Sequence, residues 1–175
     1  MSWSIRRLTR DDVDAYRAIR LEALTTSPES YGTSPENFAR RTTESLLAQM
    51  DRSAFFGVVT HSGQLAGLVV YDRDSGERET HRGWLLQVYL QPELRGTGAA
   101  LAMIEAAVEH ARSEVIQLHL MVGAHNTPAI RLYEKAGFKT YGTDPRCLYV
   151  NGRYIDEHMM VRFLDEAPGK TNENV

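Results

Sequence analysis

Six consecutive residues carry the strongest chemical hint in the 175-residue chain. Arg95, Gly96, Thr97, Gly98, Ala99 and Ala100 follow an apolar run ending Val88-Tyr89-Leu90 and lead straight into a helix. Glycine and alanine leave the backbone bare, so its N–H groups can approach a ligand closely, and a helix start adds partial positive charge. Such a turn suits a phosphate or pyrophosphate. Two familiar phosphate motifs do not fit it. Leu101 stands where G-x-G-x-x-G needs its third glycine, and no strand-first βαβ unit opens the chain, which argues against a dinucleotide fold. A P-loop is excluded because no Gly-Lys-Ser/Thr follows. Since glycine turns are common, this segment alone leaves an ordinary strand-to-helix connection equally open.

A second segment, Asn126-Thr127-Pro128-Ala129-Ile130-Arg131-Leu132-Tyr133-Glu134-Lys135-Ala136-Gly137-Phe138, changes that balance. With both segments in order, the sequence resembles the GNAT superfamily of N-acetyltransferases. The family's acetyl-CoA signature, Q/R-x-x-G-x-G/A, is met by Arg95, Gly98 and Ala100. Its second signature, an Asn ahead of a helix that carries Tyr and ends in Gly-Phe, is met by Asn126, Tyr133, Gly137 and Phe138. The resemblance spans Leu65 to Leu164, and the region from Arg6 to Leu24 is similar to the family's opening. It implies acetyl-CoA as co-substrate, with the splayed strand end at Val88 to Leu90 offering backbone groups to the pantetheine arm and Arg95 to Ala100 wrapping the pyrophosphate. Asn126, left free if Thr127 caps the helix, would hydrogen-bond near the thioester. Tyr133 would act as general acid at the sulfur. A thiol has a pKa near 8.5 and a phenol near 10, so that proton transfer is only about 2 kcal/mol uphill.

The incoming amine is the harder problem, because an alkylammonium with pKa about 10.4 is only about one part in 2,500 neutral at pH 7. Many family members place a carboxylate on the strand before the signature, but here that strand reads Trp84-Leu85-Leu86-Gln87-Val88-Tyr89-Leu90 and carries none. Glu22, Asp156 and Glu157 are the nearest candidates for a base by family layout. Cys147, the only cysteine, has no partnering His in a local motif and reads as a buried, inert thiol rather than an acyl carrier. His110 and Glu114 lie one helical turn apart and read as an exposed pair. The other histidines show no metal-ligand spacing, so no metal is expected.

The elements that must position these residues can be read along the chain. Ser2 to Leu8 is a strand, and Thr9, Asp11 and Asp12 start a helix that runs to Leu24 with Val13, Tyr16, Ile19 and Ala23 on its buried stripe. Pro35 to Met50 makes one or two short helices. Ala54 to His61 and Gln64 to Tyr71 form an antiparallel hairpin on a two-residue Ser62-Gly63 turn. A strand Gly83 to Leu90, a helix Ala99 to Arg112, a strand Val115 to Val122, and a helix from Thr127 to a left-handed cap at Gly137 follow. Phe138 to Val150 and Arg153 to Phe163 close the chain around Asn151-Gly152. The order predicts an α/β (α+β) domain with a mixed sheet, and the resemblance implies a mostly antiparallel central sheet of about seven strands flanked by helices.

Residues 1–164 are expected to form a single N-acetyltransferase domain and 165–175 a frayed tail. Apolar residues make up 42 % and charged residues 25 %, which suits a globular body rather than a disordered one. The net charge of −3 supplies no basic field for a nucleic acid. No apolar run could serve a membrane or a signal peptide, and the cysteine usage fits a reducing cytoplasm. The resemblance implies an amine-bearing small molecule, or a protein N-terminus or lysine, as acceptor, and allows a homodimer. It equally covers a non-catalytic acyl-CoA-binding or regulatory module, for which the missing strand carboxylate speaks and Tyr133 speaks against.

Overall fold

Strand and helix alternate in the order the sequence predicts. The computed structural model describes residues 2–165. Its elements are β1 (Trp3–Arg7), α1 (Val13–Thr26), α2 (Pro35–Ala39), α3 (Thr43–Arg52), β2 (Ala54–Thr60), β3 (Leu65–Arg73) and β4 (Arg82–Leu90), then α4 (Ala99–Ala111), β5 (Gln117–Gly123), α5 (Thr127–Lys135), β6 (Lys139–Val150) and β7 (Arg153–Phe163). The expected tail falls outside the described residues except for Asp165. Among the described residues no helix is long and apolar enough to cross a membrane.

The seven strands form one sheet in the order β1-β2-β3-β4-β5-β7-β6. Every junction is antiparallel except β4 with β5. That parallel junction is short. It pairs Arg82 with Gln117, Gly83 with Leu118 and Trp84 with His119, and then ends. Beyond it β4 stays paired to β3 as far as Leu90, and β5 stays paired to β7 as far as Gly123. The two halves of the sheet therefore remain intact while a gap opens between them.

Helices cover both faces. On one, Met103, Ile104, Ala107 and Val108 of α4 pack with Leu118 and Leu120 of β5. On the other, Tyr16, Ile19 and Leu24 of α1 and Phe38 and Leu46 of α2 and α3 pack with Phe55, Leu68 and Val70. Central strands β2 and β3 are buried on both faces, which is why they read as continuous apolar runs rather than alternating ones.

Two turns test the sequence reading. Asn151 and Gly152 have φ of 49° and 78°, and Val150 pairs with Arg153, the two-residue turn expected of Asn-Gly. The Ser62-Gly63 expectation needs correction. Gly63 N–H donates to Thr60 O, Thr60 N–H donates to Gln64 O, and Val59 pairs with Leu65. The loop is thus His61-Ser62-Gly63, one residue longer, with Gly63 at φ 85° supplying the left-handed step that ends a three-residue hairpin.

At the start of α1, Asp12 accepts from Thr9 N–H at 2.8 Å and holds Arg6 through two bonds of 2.7 and 2.8 Å. The Arg6 guanidinium keeps the Asp12 carboxyl below the usual carboxylate range. A depressed folded-state pKa stabilises above the unfolded value and fades as pH falls through the folded one. Asp12→Asn should therefore lower Tm at pH 7, and the difference from wild type should shrink as pH drops below about 4. Thermal melts of both proteins across that range check it.

Candidate active site

The gap between β4 and β5 is held open from the β4 side. Opposite β3 the register slips between Leu68 and Val70, so that Gln87 and Val88 together face a single residue. Gln87 takes a φ of 56°, a left-handed conformation uncommon for a residue with a side chain. Tyr16 of α1 donates to Gln87 Oε1 at 3.0 Å, and the Tyr31 hydroxyl donates to Val88 O at 2.7 Å. The bulge is thus pinned by the α1 layer. A cavity of about 720 Å³ occupies the gap.

From the α4 face, Arg95, Gly96, Ala100, Asn126 and Tyr133 reach this cavity, and Val88 and Leu90 line it along β4. These are seven of the ten residues singled out by sequence. Thr97, Gly98 and Ala99 do not line it. Thr97 and Gly98 form the exposed turn and Ala99 is buried under α4. The start of α4 nevertheless fits a diphosphate. Its N-cap, Gly98, has φ 87° and no side chain to cap with, and the first turn carries no acid. A Cβ added at Gly96 or Gly98 would meet only open space. Apart from Ala99 N–H, which donates to Thr97 Oγ1 at 3.4 Å, the N–H groups that open this 13-residue helix therefore face an open approach, as an external anion requires.

Asn126 needs a correction. It, not Thr127, caps α5: its Oδ1 accepts from Ala129 N–H at 3.3 Å. Only its amide N–H₂ remains for a ligand.

Tyr133 is buried, and that burial, with Tyr31 nearby, raises its phenol well above the ordinary value. The proton is held more firmly than in a free phenol, so the 2 kcal/mol expected from the unperturbed values is too small. Donation becomes favourable only as negative charge develops on the group receiving it.

Of the three candidate bases, one reaches the cavity. Glu157, 8 % exposed, lines it from β7. Glu22 instead ties α1 to the end of β4, accepting from Tyr89 Oη at 2.8 Å and Gln91 Nε2 at 2.9 Å. Asp156 accepts from Arg146 N–H at 2.7 Å and so braces a bulge in β6. That bulge brings the Cys147 thiol onto Glu157 Oε2 at 3.1 Å.

Cys147 is half-buried rather than buried. Burial and the acceptor carboxylate of Glu157 push its thiol up to about 12, so it is a proton donor and not a nucleophile. His110 is less exposed than expected. It lies 3.8 Å from Glu114 and also against the rings of Phe56 and Tyr71. Among the described residues no cluster of three or more His, Cys, Asp or Glu could hold a metal.

Sequence reasoning missed Arg20 and Tyr31, which line the cavity from the α1 face. Arg20 is 6 % exposed. It follows Tyr16 by four positions and precedes Ala23 and Leu24 by three and four, all buried. A charge inside the apolar stripe of α1 was the signal that could have found it.

Residues 16–138 match the model of the acetyltransferase (GNAT) family, and the chain belongs to that family. It is 32 % identical over 137 residues to a mycothiol acetyltransferase of Thermobispora bispora, covering 76 % of this chain and 45 % of that one. The chain thus spans less than half the length of that relative. It is 28 % identical over 171 residues to the L-methionine sulfoximine/L-methionine sulfone acetyltransferase of Pseudomonas paraeruginosa, covering 94 % of this chain and 96 % of that one. The fold matches the phosphinothricin acetyltransferase of Sinorhizobium meliloti, solved with acetyl-CoA, with a TM-score of 0.81 at 20 % identity over 100 % of this chain and 96 % of that chain.

A thiol held protonated is slow to alkylate. At pH 8, iodoacetamide should label Cys147 in the native protein at least about 10²-fold more slowly than in the denatured chain, since the thiolate fraction follows the pKa. Mass spectrometry of timed samples measures both rates.

Proposed function

We propose that residues 1–164 form an acetyl-CoA-dependent N-acetyltransferase domain that transfers acetyl directly to a primary amine. The observation that carries this reading is the gap itself. It is one cavity reached from the α4 face by a diphosphate cradle and Tyr133, and from the α1 face by charged side chains suited to a separate ligand. Bound acetyl-CoA supplies the activated acyl thioester. Arg95 and the turn Gly96-Thr97-Gly98-Ala99-Ala100 hold its diphosphate, Val88 and Leu90 offer backbone groups to the pantetheine arm, and Asn126 donates its amide N–H₂ near the thioester.

Tyr133 then protonates the departing sulfur. Glu157 receives the acceptor's ammonium and takes its proton, with Cys147 fixing one carboxylate oxygen and leaving the other free. Glu157 supplies from β7 the carboxylate that β4 lacks, which favours the catalytic reading over a non-catalytic acyl-CoA-binding module. Holding both reactants in one gap removes the entropy of bringing them together. No acyl-enzyme at Cys147 is needed.

A panel of amines assayed for thiol release with acetyl-CoA tests the activity. Tyr133→Phe should keep CoA affinity within about twofold and lower kcat by about 10² to 10⁴-fold, the range for losing a positioned acid. Unchanged kcat would make Tyr133 a core residue. Because its pKa lies above the ordinary phenol value, wild-type kcat should show no fall below about pH 10 that Tyr133→Phe abolishes.

Gly98→Asp puts a side chain and a negative charge at a left-handed helix start. It should abolish measurable CoA binding in calorimetry while the circular dichroism spectrum is retained. Full CoA affinity in that variant would refute the cradle.

A further inference from the structure

Arg20 is a buried cation without an anion. It is 6 % exposed, and among the described residues it enters no salt bridge. Its Nη1, fully shielded, has no hydrogen-bond partner. Burial lowers its pKa, yet a guanidinium stays protonated at any working pH. The ring of Tyr31 stacks on it, with its centroid 4.4 Å from the guanidinium carbon. Leaving such a group unpaired in a protein interior carries a large desolvation penalty. Its position in the wall of the cavity points to a ligand that removes that penalty.

The face of the sheet decides which ligand. The diphosphate cradle and Tyr133 belong to the α4 and α5 face, whereas α1 covers the opposite one. On β7, Met160 packs into the α4-side core and Arg162 pairs with Glu105 of α4 at 2.8 Å. Glu157, at odd spacing from both, therefore projects to the α1 side. Trp84, Leu86 and Met121 line the cavity on that side too.

Tyr31 joins Arg20 to the reacting region, since the ring that stacks on the guanidinium ends in the hydroxyl bonded to Val88 O. One tyrosine's length thus separates Arg20 from the bulge where the thioester is placed. A cation near that centre, a carboxylate facing the same space and an apolar wall between them describe a short zwitterion.

Resting on the acetyltransferase reading, we propose that Arg20 binds the carboxylate of the acceptor, and that the acceptor is a small amine bearing a carboxylate, of the amino-acid kind. Arg20 pairs with the carboxylate through its planar fork. Glu157 takes the ammonium, and the apolar wall takes the side chain. A polyamine or a lysine in a basic segment would instead bring a second cation toward Arg20 and be disfavoured.

The test compares L-leucine, L-phenylalanine, L-glutamate and glycine with their α-amides and with spermidine, in wild type, Arg20→Met and Arg20→Lys. In wild type, at least one free acid should exceed its own amide and spermidine in kcat/KM by about 10²-fold or more. Arg20→Met should erase that preference by raising KM for the acid, leave kcat/KM for the amide within a few-fold, and leave CoA affinity intact. Arg20→Lys should retain part of the preference. The Tm of Arg20→Met without ligand should equal or exceed that of wild type.

Equal use of acids, amides and spermidine by wild type overturns the proposal while leaving the acetyltransferase reading in place. So does an Arg20→Met variant that loses acid and amide turnover equally and melts lower. Calorimetric binding of a free acid that depends on Arg20, with no CoA released from any amine, upholds the carboxylate site and overturns the acetyltransferase reading. No binding and no turnover of any acid overturns the carboxylate site.

Discussion

Everything at the candidate site depends on the early end of a single strand junction. Had β4 and β5 stayed paired past Trp84 and His119, the sheet would be continuous and its two faces sealed from each other. Because the remaining residues of both strands keep only their partners in β3 and β7, the backbone groups facing the gap lose sheet partners. Unpaired backbone donors and acceptors in a protein interior carry a free-energy penalty unless something else satisfies them. Tyr31 satisfies one of them, Val88 O, with its hydroxyl. The bulge at Gln87 adds backbone strain at the same place, and Tyr16 holds it. Strain and unsatisfied polarity concentrate where a ligand can repay them, a pattern typical of functional sites.

That arrangement explains why α1 matters beyond filling the core. Its buried stripe anchors the helix, but three side chains on it look toward β4. Tyr16 reaches Gln87, Arg20 reaches the cavity, and Glu22 bridges Tyr89 and Gln91. Glu22 lies two positions from Arg20 and so points away from it on the helix surface. Its two oxygens are held by Tyr89 and Gln91, and among the described residues it forms no salt bridge with Arg20. The polar groups are divided between a pair that fixes the helix and one that stays available, and only the second stands at a stability cost.

How much of this was legible in the sequence varies with the range of the interaction. Local signals performed well. The Asn-Gly turn, the Pro128 helix start, the stripe of α4 and the apolar runs of β2 and β3 all depend on neighbours along the chain, and their elements formed as read. The cap and turn errors were local choices between close alternatives: Asn126 and Thr127 both cap helices readily, and Ser-Gly supports two-residue and three-residue hairpins. No local signal marked the gap, and only the family resemblance implied a splayed strand end at Val88 to Leu90, because the gap arises from where one strand stops pairing with another that follows more than thirty residues later. Glu157 could be nominated by family layout but not separated from Asp156, since a one-residue shift on a strand moves a side chain to the other face. The bulges at Gln87 and between Asp144 and Leu148 decide such matters; the first carries no glycine or proline cue at its centre, and only the second holds one, Pro145.

Two protons must move in opposite senses for direct transfer to an amine, and the site separates the groups proposed to handle them. Tyr133 holds its proton firmly through burial, so it would give it up only to a sulfur on which charge is already growing. Glu157 stands across the gap with one oxygen fixed by a thiol that itself stays protonated, so Cys147 neither competes as a nucleophile nor drains the proton that Glu157 is proposed to accept. An acid too reluctant to act early and a carboxylate kept from its neighbouring thiol's proton together tie proton movement to acyl transfer. A phenol of ordinary acidity at the same position would ease the first transfer but also ionise more readily beside the developing thiolate. Burial of Tyr133 is therefore part of the proposed chemistry, and the closed packing of α5 against β5 and Phe138 is what provides it.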